Sequence, residues 1–581
     1  MGALAALLVF IGAACLAGQV PPPIPTDRPG PRSAGKGATL EGRTENDNGA
    51  TLPHVMLTLR GGGAGQMFKY TARSDAQGRF VFEQVEPGQY TLTAEKPGFV
   101  RQSAGGRRGG GSTVSLTASE DTPIKDIVLR LVPQGVISGR VTDENGEPVE
   151  RVSVLALQWR YLDGKRLLRP ATGAITDDLG AYRIRGLAPG SYYIAARSDQ
   201  LLRAGVFVQY GDAPAASVPE GREEAHQTTY YPGSIDPAGA SPLLVAPGAD
   251  LGSIDIRFLK APVFRVRGEV IDDVTGRPVA DFWVSLTPVS PVNVISMSSV
   301  GGPRISGGKF EVLAVSPGAY YLIAYVTGPG ETRYARQPVF VTDQNVTDLR
   351  IHIPRVVEVS GSVRLEPSGG QASEQSPSSQ QKPTSPDAVR IYLQPVEGFG
   401  VGETPVASAA AGGRFVMRGV VPDKYRVAVT GLPAGSYLKS ILVAGQERPD
   451  GSADIAGSAP IEIVLASGAA QLTGSVTDSE GKPASDVELT LFPESPERQR
   501  RRDLFRVTTS DQDGQFRFTD VAPGDYKVLA WQNLEAGAIQ DPEFRRQFEA
   551  KAKSVSLGVN GQESVELKEI PAEEIARVLG R

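Results

Sequence analysis

The chain has 581 residues, a formal net charge of -5 at neutral pH and 40 % hydrophobic residues. Because it has no overall excess of positive charge, nucleic acid is not expected as a partner. Its 67 glycines and 45 prolines favour many short strands joined by tight turns over long helices.

The chain begins with an apolar run, residues 1–18, that closes in small residues and predicts a secretory signal peptide. The run is too short to cross a bilayer comfortably, and no later stretch approaches about 18 continuous apolar residues, so no transmembrane span is predicted. Cys15, the only cysteine, is either an ordinary leader residue or the acceptor of a lipid anchor. We therefore expect an extracytoplasmic protein (periplasmic, outer-membrane associated or secreted) that folds without disulfides once the leader is cleaved.

Residues 19–38 are rich in proline and predict a linker that cannot pack a core. After the linker one pattern recurs five times: a glycine, any residue and an aromatic residue, then a tyrosine twelve residues after the glycine. The tyrosines are 102, 128, 105 and 101 residues apart, which is the size of a domain and too long for a solenoid repeat. The copies run from Gly78 to Tyr90, Gly180 to Tyr192, Gly308 to Tyr320, Gly413 to Tyr425 and Gly514 to Tyr526.

Each copy is flanked by segments in which apolar and polar residues alternate, as in Val136 to Thr142 of the second copy. Such alternation on both sides of a tight turn is typical of antiparallel strands with one buried face. The Pro-Gly pair before four of the tyrosines predicts a type II turn, and Pro422-Asp423 in the fourth copy predicts a strained one. We expect each tyrosine ring in the core, with its hydroxyl on a nearby backbone group.

Two further apolar runs follow each tyrosine, and they predict a closing hairpin that completes a two-sheet unit. The predicted fold is all-β: a tandem array of five Ig-like antiparallel β-sandwiches with a short C-terminal helix. That helix is expected after Asp541, where a proline and apolar residues four apart follow, and Ala572 to Leu579 predict a second one. The predicted domains are residues 39–132, 133–260, 261–356, 357–468 with a disordered insert at 366–387, and 469–581 with the helical tail.

The recurring residues resemble those of the carboxypeptidase regulatory-like domain: Gly-x-Val-x-Asp, a turn with Gly-x-Pro, then Thr-Asp-x-x-Gly-x-Phe or Tyr, and Pro-Gly-x-Tyr. This resemblance implies a seven-stranded prealbumin-like sandwich, also called a carbohydrate-binding-like fold. Two stretches, Tyr230 to Pro237 and Gly435 to Leu442, are similar to large secreted multi-repeat proteins of Acidobacteria. The resemblance implies no peptidase, because the family is an accessory domain that follows a catalytic one.

The sequence lacks the common catalytic and metal-binding patterns. Its three histidines, His54, His226 and His352, fall in three different units. There is no H-E-x-x-H motif, no paired-cysteine motif and no G-x-S-x-G pentapeptide. The sequence therefore predicts no enzyme, no cofactor and no metal site.

Two polar features have both a ligand-binding and an ordinary interpretation. Asp177, Asp178, Asp511 and Asp513 stand where a calcium loop could form, but turns also favour aspartate there for its local hydrogen bonds. Arg500, Arg501 and Arg502 form a basic cluster that either meets an anionic glycan or lipid head group or lies solvated in a hairpin loop.

The candidate ligand contacts are aromatic residues that alternation turns away from the cores or places near loops: Trp159, Tyr161, Tyr230, Tyr231 and Trp531. Rings at such positions either stack on sugars or cover the seam between a sheet and its closing hairpin. The predicted function is an exported, non-enzymatic binding or scaffolding protein at the cell envelope, with polysaccharide or an envelope protein as its partner. The alternatives are a structural spacer or adhesin that contacts a protein, or an accessory component of a hydrolase or outer-membrane uptake system.

Overall fold

The computed structural model describes most of the chain after the linker. The predicted leader, the linker up to residue 36 and the predicted insert after residue 367 lie outside the described residues. The described residues are 37–62, 66–100, 113–119, 123–162, 164–198, 223–289, 305–306, 308–328, 331–367, 389–396, 404–457, 459–511 and 513–579.

The described residues confirm the all-β prediction, since their strands form ten sheets and the α-helices are two and short. The sheets belong to five units of two sheets each, and each unit has its own hydrophobic core. The first unit consists of sheets β4-β1-β7 and β3-β2-β5-β6. Its strands are β1 (Ala38–Asn46), β2 (Met56–Gly62), β3 (Phe68–Arg73), β4 (Arg79–Val85), β5 (Gly88–Glu95), β6 (Thr113–Ala118) and β7 (Ile124–Leu131).

The second unit contains a long hairpin between β9 and β10. In this unit β8 pairs with β11, and β9 pairs with β10 and β12. Its segment contains β8 (Gly135–Thr142), β9 (Val152–Leu162), β10 (Lys165–Ile175), β11 (Ala181–Leu187), β12 (Gly190–Ser198), β13 (Glu223–His226), β14 (Thr229–Tyr230), β15 (Leu243–Val245), β16 (Asp250–Leu251) and β17 (Ile256–Arg257).

The third and fourth units repeat the two-sheet plan. In the third, β18 pairs with β22 and β25, and β23 pairs with β20 and β24. Its strands are β18 (Lys260–Asp272), β19 (Arg277–Pro278), β20 (Asp281–Pro288), β21 (Ile305–Ser306), β22 (Lys309–Val315), β23 (Gly318–Gly328), β24 (Glu331–Val341) and β25 (Val346–Ile353). The fourth contains β26 (Val357–Glu366), β27 (Arg390–Pro395), β28 (Val406–Ser408), β29 (Arg414–Val420), β30 (Asp423–Thr430), β31 (Ser436–Val443), β32 (Gln446–Glu447), β33 (Ser452–Ile455) and β34 (Ile461–Ser467).

The fifth unit carries both helices, as the sequence predicts. Asp541 caps the first helix by accepting a hydrogen bond from the backbone N–H of Glu543 at 2.9 Å. The unit contains β35 (Ala470–Thr477), β36 (Glu488–Pro493), β37 (Arg506–Thr509), β38 (Gln515–Val521), β39 (Gly524–Trp531), α1 (Pro542–Phe548), β40 (Lys553–Leu557), β41 (Gln562–Lys568) and α2 (Ala572–Val578).

The last strand of each unit differs from the closing hairpin that the sequence suggested. In the first unit β6 pairs with β5, whereas β7 crosses to the other sheet and pairs in parallel with β1. The same parallel pairing of first and last strands recurs in the other four units. The two apolar runs therefore close opposite sheets of the sandwich, and each run buries its apolar face against the same core.

The glycine that opens each recurring motif is required by the backbone. Its φ lies between 68° and 82° in all five copies, the left-handed region that glycine adopts without a steric penalty. The Pro-Gly turns differ from the prediction: the φ values of Gly88, Gly190 and Gly524 are 144° to 157°, far from the value of a type II turn. Asp423, in the fourth copy, is not among the positive-φ residues, so the strain predicted there is wrong.

A second glycine recurs on the first strand of each unit, directly opposite the aromatic residue of the motif. The pairs are Gly42 and Phe80, Gly139 and Tyr182, Gly268 and Phe310, Gly361 and Phe415, and Gly474 and Phe516. A Cβ at any of these glycines would lie 1.9 to 2.5 Å from a carbonyl oxygen of the neighbouring last strand. In four units it would also lie 2.3 to 2.7 Å from the phenylalanine ring. The aromatic ring therefore covers a glycine that the parallel strand approaches too closely for any side chain.

Four of the five recurring tyrosines form the corners that the sequence predicts, and at Tyr90 the predicted hydrogen bond is missing within the described part of the chain. In four units the hydroxyl donates a hydrogen bond to the carbonyl oxygen four residues earlier, at 2.7 to 2.8 Å. The fifth case, Tyr90, is buried, and its hydroxyl has no partner among the described residues. These tyrosines are structural: they fix the turn between the two strands of the motif to the core.

Candidate binding surfaces and unit junctions

Trp531, a predicted ligand contact, is fully buried. Its indole N–H donates a hydrogen bond to the hydroxyl of Thr490 at 2.8 Å. Its ring packs 5.7 Å from that of Phe544 and 5.0 Å from that of Phe548, both on α1. The residue does lie on the outer face of its sheet, as alternation indicates, but the helical tail covers that face and leaves no ring surface for a ligand.

Tyr230 is also buried, with 4 % of its surface exposed. It packs with Leu157, Leu168 and Ala195 in a small apolar cluster on the outer face of the second unit's sheet. Burial, and to a lesser extent Asp236, raises the pKa of Tyr230 to about 12. Its neighbour Tyr231 is half-buried against the unit's main core. The segment around these two tyrosines covers a sheet face. This fits the alternative interpretation, in which such rings cover the seam between a sheet and its closing hairpin.

Trp159 and Tyr161 lie near the tip of the hairpin between β9 and β10. The rings of Trp159 and Tyr193 meet edge to face, with an interplanar angle of 83°, and the guanidinium of Arg166 lies 5.2 Å from the Trp159 ring centroid. These two rings are perpendicular, so they do not form a flat platform for a pyranose. Tyr161 instead packs 6.0 Å from Phe544 of the fifth unit.

The hairpin tip of the second unit contacts the helical tail of the fifth unit. The backbone N–H of Tyr161 donates to the carboxylate of Glu535 at 3.0 Å, and Arg166 donates to the carbonyl oxygen of Leu579 at 2.8 Å. A Cβ at Gly164 would lie 3.0 Å from the Cβ of Gln540. Burial, followed by the charge of nearby Asp541, raises the pKa of Tyr161 to about 12. This contact joins two units that are separated in sequence by two others.

The second and third units are joined by strand pairing, because β13, in the second unit's segment of sequence, is hydrogen-bonded to β18 of the third unit's sheet. The first part of β18 pairs with β13, and the remainder pairs with β22 and β25 of the third unit's own sheet. Next to this pairing, the largely buried Arg265 donates hydrogen bonds to the carboxylates of Glu223 and Glu311. The junction therefore combines strand pairing with a largely buried guanidinium that is paired on both sides.

The third and fourth units meet at the position where the fourth copy departs from the Pro-Gly pattern. The carboxylate of Asp423 accepts hydrogen bonds from the guanidinium of Arg336 at 2.6 Å and from the hydroxyl of Tyr334 at 3.1 Å. The Tyr334 hydroxyl also lies 3.4 Å from that of Tyr425, the corner tyrosine. Burial and these neighbours raise the pKa of Tyr334 above its ordinary value. The aspartate that replaces glycine is therefore a junction residue.

Replacing Asp423 by glycine, the residue of the other copies, is expected to loosen this junction and leave the fourth unit folded. The change removes the two hydrogen bonds across the junction, both to an ionised carboxylate, with an expected cost of about 1.5 to 3 kcal/mol, and also the local bond from the backbone N–H of Lys424. Hydrogen exchange in β24 should accelerate, while exchange in β26 and β34 stays unchanged. As a control, adding Arg336→Gln to Asp423→Gly should cost little more than either change alone, because both remove the same contact. Fully additive effects would show that the two residues are not coupled.

The basic cluster of the fifth unit lies at its junction with the fourth. Arg501 donates hydrogen bonds to the carbonyl oxygens of Leu438 and Lys439 of the fourth unit, at 2.7 and 2.8 Å. On the other side of the junction, the backbone N–H of Gly435 donates to the carboxylate of Asp520 at 2.8 Å. At least one arginine of the cluster is thus used for contact between units, a role that its position in the sequence does not reveal.

The aspartates at the predicted calcium loops are engaged in turns. Asp177 accepts hydrogen bonds from the backbone N–H groups of Leu179 and Ala181, and Asp511 accepts two in the same way. Within the described part of the chain, no three His, Cys, Asp or Glu residues converge as metal ligands would. No helix found in the same residues is long and apolar enough to cross a membrane.

Comparison with known proteins supports the repeat assignment. The sequence profile of the carboxypeptidase regulatory-like domain matches residues 39–130, 136–218 and 471–539, which lie in the first, second and fifth units. No curated protein matches the chain. The chain is thus similar in three regions to a family of accessory β-sandwich domains.

Several solved structures are similar to parts of the chain at low identity. GBS52, the minor pilin of Streptococcus agalactiae, is 16 % identical, with 39 % of this chain and 97 % of the pilin covered and a TM-score of 0.20. A streptococcal ancillary pilin is 12 % identical over 55 % of this chain and 99 % of its own, with a TM-score of 0.18. BcpA, the major pilin subunit of Bacillus cereus, is 11 % identical, covers 55 % and 99 %, and has a TM-score of 0.15.

Proposed function

We propose that this chain, which carries three carboxypeptidase regulatory-like domains, is a non-catalytic structural protein that acts outside the cytoplasm. The observation that carries the proposal is the contact between the second unit's hairpin and the fifth unit's tail. Together with the three junctions between consecutive units, it makes the second to fifth units one closed body. A body of fixed geometry suits a scaffold or adhesin that presents a surface to a partner.

The chemistry of the described residues supports a non-catalytic role. The imidazole of His226 stacks on the ring of Phe258, with centroids 4.6 Å apart, and His352 contacts the carboxylate of Asp273 at 2.8 Å. Both histidines thus have structural neighbours, in two different units.

A partner at the cell envelope is part of this proposal. The apolar leader predicts export. A structural spacer or adhesin contacts an envelope protein through the surface of the closed body. Polysaccharide binding through stacked aromatic rings has less support, because Trp531 and Tyr230 are buried and the Trp159 and Tyr193 rings are perpendicular. A role as the accessory component of a hydrolase or uptake system remains the alternative, since the family is found beside catalytic domains.

A disulfide across the closing contact tests the fixed geometry. The only native cysteine is Cys15 in the leader, so the change Gly164→Cys with Gln540→Cys introduces the only thiols of the mature protein. The Cβ separation of 3.0 Å is slightly below the usual range of about 3.5 to 4.5 Å, and Gly164 has a left-handed φ of 73°, so the bond requires a local shift of the hairpin tip. We expect rapid intramolecular oxidation and an unchanged radius of gyration in small-angle X-ray scattering.

A matched pair, Gly146→Cys with Gln540→Cys, provides the control, because Gly146 lies in an open turn of the same unit with no atom within 4 Å of its Cβ position. This pair should stay reduced within the monomer. The control position has a similar φ of 86°, so both pairs carry the same backbone strain. If the two pairs oxidise at the same rate, or if the bond at Gly164 shrinks the radius of gyration markedly, the chain in solution is an open string. Either outcome would overturn the proposed scaffold of fixed geometry.

A further inference from the structure

The outer face of the second sheet of the first unit is polar and open to solvent. Alternation turns outward three residues of β2, three of β3 and three of β5. Strand register places them in three rows across the sheet. Each row is given in the order β3, β2, β5. The rows are Arg73, Met56 and Glu95; then Thr71, Thr58 and Thr93; then Lys69, Arg60 and Thr91.

The corresponding faces of the second, third and fifth units are covered. In the second unit this face carries the buried Leu157 and Leu168, and in the fifth it carries Trp531 beneath the helical tail. In the third unit the outward-facing Ser285 and Thr287 are buried. The first unit, which precedes the closed body in the chain, keeps its face exposed: half of the surface of Met56 is accessible, and Arg60, Lys69 and Arg73 are exposed.

The placement of charge on this face opposes folding. Arg60 and Lys69 stand directly opposite each other on β2 and β3, and a like-charge pair at such positions is destabilising. Neither these two residues nor Arg73 makes an ion pair within the described part of the chain. The face carries one carboxylate, Glu95, against three cations. Departures from local folding rules of this kind occur where a ligand compensates for them.

We propose that this face binds an acidic polysaccharide that lies across β3, β2 and β5. Arg60 and Lys69 pair with its carboxylates, and the row of Thr58, Thr71 and Thr93 exchanges hydrogen bonds with its hydroxyl groups. Neighbouring strands are about 4.8 Å apart and alternate residues on one strand about 6.8 Å apart, so the face offers a regular grid of hydroxyl and cationic groups to a repeating polymer.

Other polyanions fit the face less well. A membrane surface would require several apolar side chains for insertion, and Met56 is the only large one in the three rows. Double-stranded DNA has no free hydroxyl groups along its backbone, so it offers the threonine row only acceptors. A hydroxyl-rich uronic acid polymer matches both the threonine row and the cations. This inference does not depend on the closed arrangement of the other units, so either one can fail alone.

Affinity electrophoresis of the full chain in polygalacturonate gels tests the proposal. We expect native protein to be retarded at low ionic strength by polygalacturonate but not by neutral pullulan. Arg60→Ser with Lys69→Ser should weaken the retardation at least about tenfold, since two charge-assisted contacts are lost. Its thermal midpoint should stay equal or rise, because the like-charge pair is removed. Thr58→Val with Thr71→Val keeps the charges and should weaken binding by a smaller factor.

The matched control is Arg79→Ser with Lys125→Ser, which makes the same change in charge on the exposed side of the opposite sheet of the same unit. It should bind like the native protein. Three results would overturn the proposal: no retardation of the native chain by polygalacturonate, an equal loss in the control, or equally tight binding to phosphatidylglycerol vesicles or double-stranded DNA.

Discussion

Replacing Gly474 by alanine is expected to destabilise the fifth unit by about 3 kcal/mol, at the upper end of the range for overpacking. The new Cβ would lie 1.9 Å from the carbonyl oxygen of Val565 on β41 and 2.7 Å from the ring of Phe516. A ring can shift at modest cost, but the carbonyl belongs to the parallel strand that closes the sandwich. We expect β41 to separate locally from β35, and hydrogen exchange in both strands to accelerate.

Gly558→Ala is the matched control in the same unit. No atom lies within 4 Å of the Cβ position at Gly558, and its φ is not in the left-handed region. This change should be neutral or stabilising by up to about 1 kcal/mol, because it restricts the unfolded chain. If Gly474→Ala were tolerated as well as Gly558→Ala, the close approach of β41 to β35 would not exist in solution. The same experiment at Gly42 would show whether the rule holds in another unit.

Trp531→Ala is expected to cost about 3 to 5 kcal/mol, the usual loss for truncating a fully buried large aromatic residue. The side chain joins the outer face of β39 to α1, so its removal should open the cluster that holds the helical tail. Chemical denaturation of the full chain should show the fifth unit unfolding earlier than in the native protein. Hydrogen exchange in α1 should rise most, because Phe544 and Phe548 lose their common neighbour.

Two further variants separate the roles of packing and hydrogen bonding at Trp531. Trp531→Phe retains most of the buried surface but leaves the Thr490 hydroxyl without its donor, and should cost less than alanine. Trp159→Ala truncates a tryptophan that is only partly buried and should cost less than Trp531→Ala. A loss below about 1 kcal/mol for Trp531→Ala would mean that the helical tail does not pack on this sheet.

The contacts between units are made by residues in which the copies differ, and not by the residues that the copies share. Asp423 replaces a turn glycine and binds Arg336 across a junction, while the hairpin between β9 and β10 of the second unit meets the fifth unit. Repetition therefore supplies the sandwich, and local departures from it determine how the sandwiches are held together. The first unit departs in another way, by leaving a polar face uncovered.

The candidate site was only partly predictable. Alternation placed Trp531 correctly on the outer face of its sheet, but α1 begins eleven residues later in the chain and covers it. Arg501 was noticed as part of a basic cluster, and its backbone acceptors lie 62 and 63 residues away. Period-two alternation along a strand predicts which face of the sheet a side chain occupies, but it does not predict what packs on that face.

The sequence by itself determined the repeated unit: the alternating strands, the left-handed glycine, the corner tyrosine and the capped helical tail. Each of these depends on residues a few positions apart, where backbone sterics and local hydrogen bonds decide the conformation. The tertiary structure alone decided which sheet faces are covered and which units touch. Those outcomes depend on contacts such as Tyr161 with Glu535 and Arg166 with Leu579, 374 and 413 residues apart, and no local pattern encodes the meeting of segments that far apart.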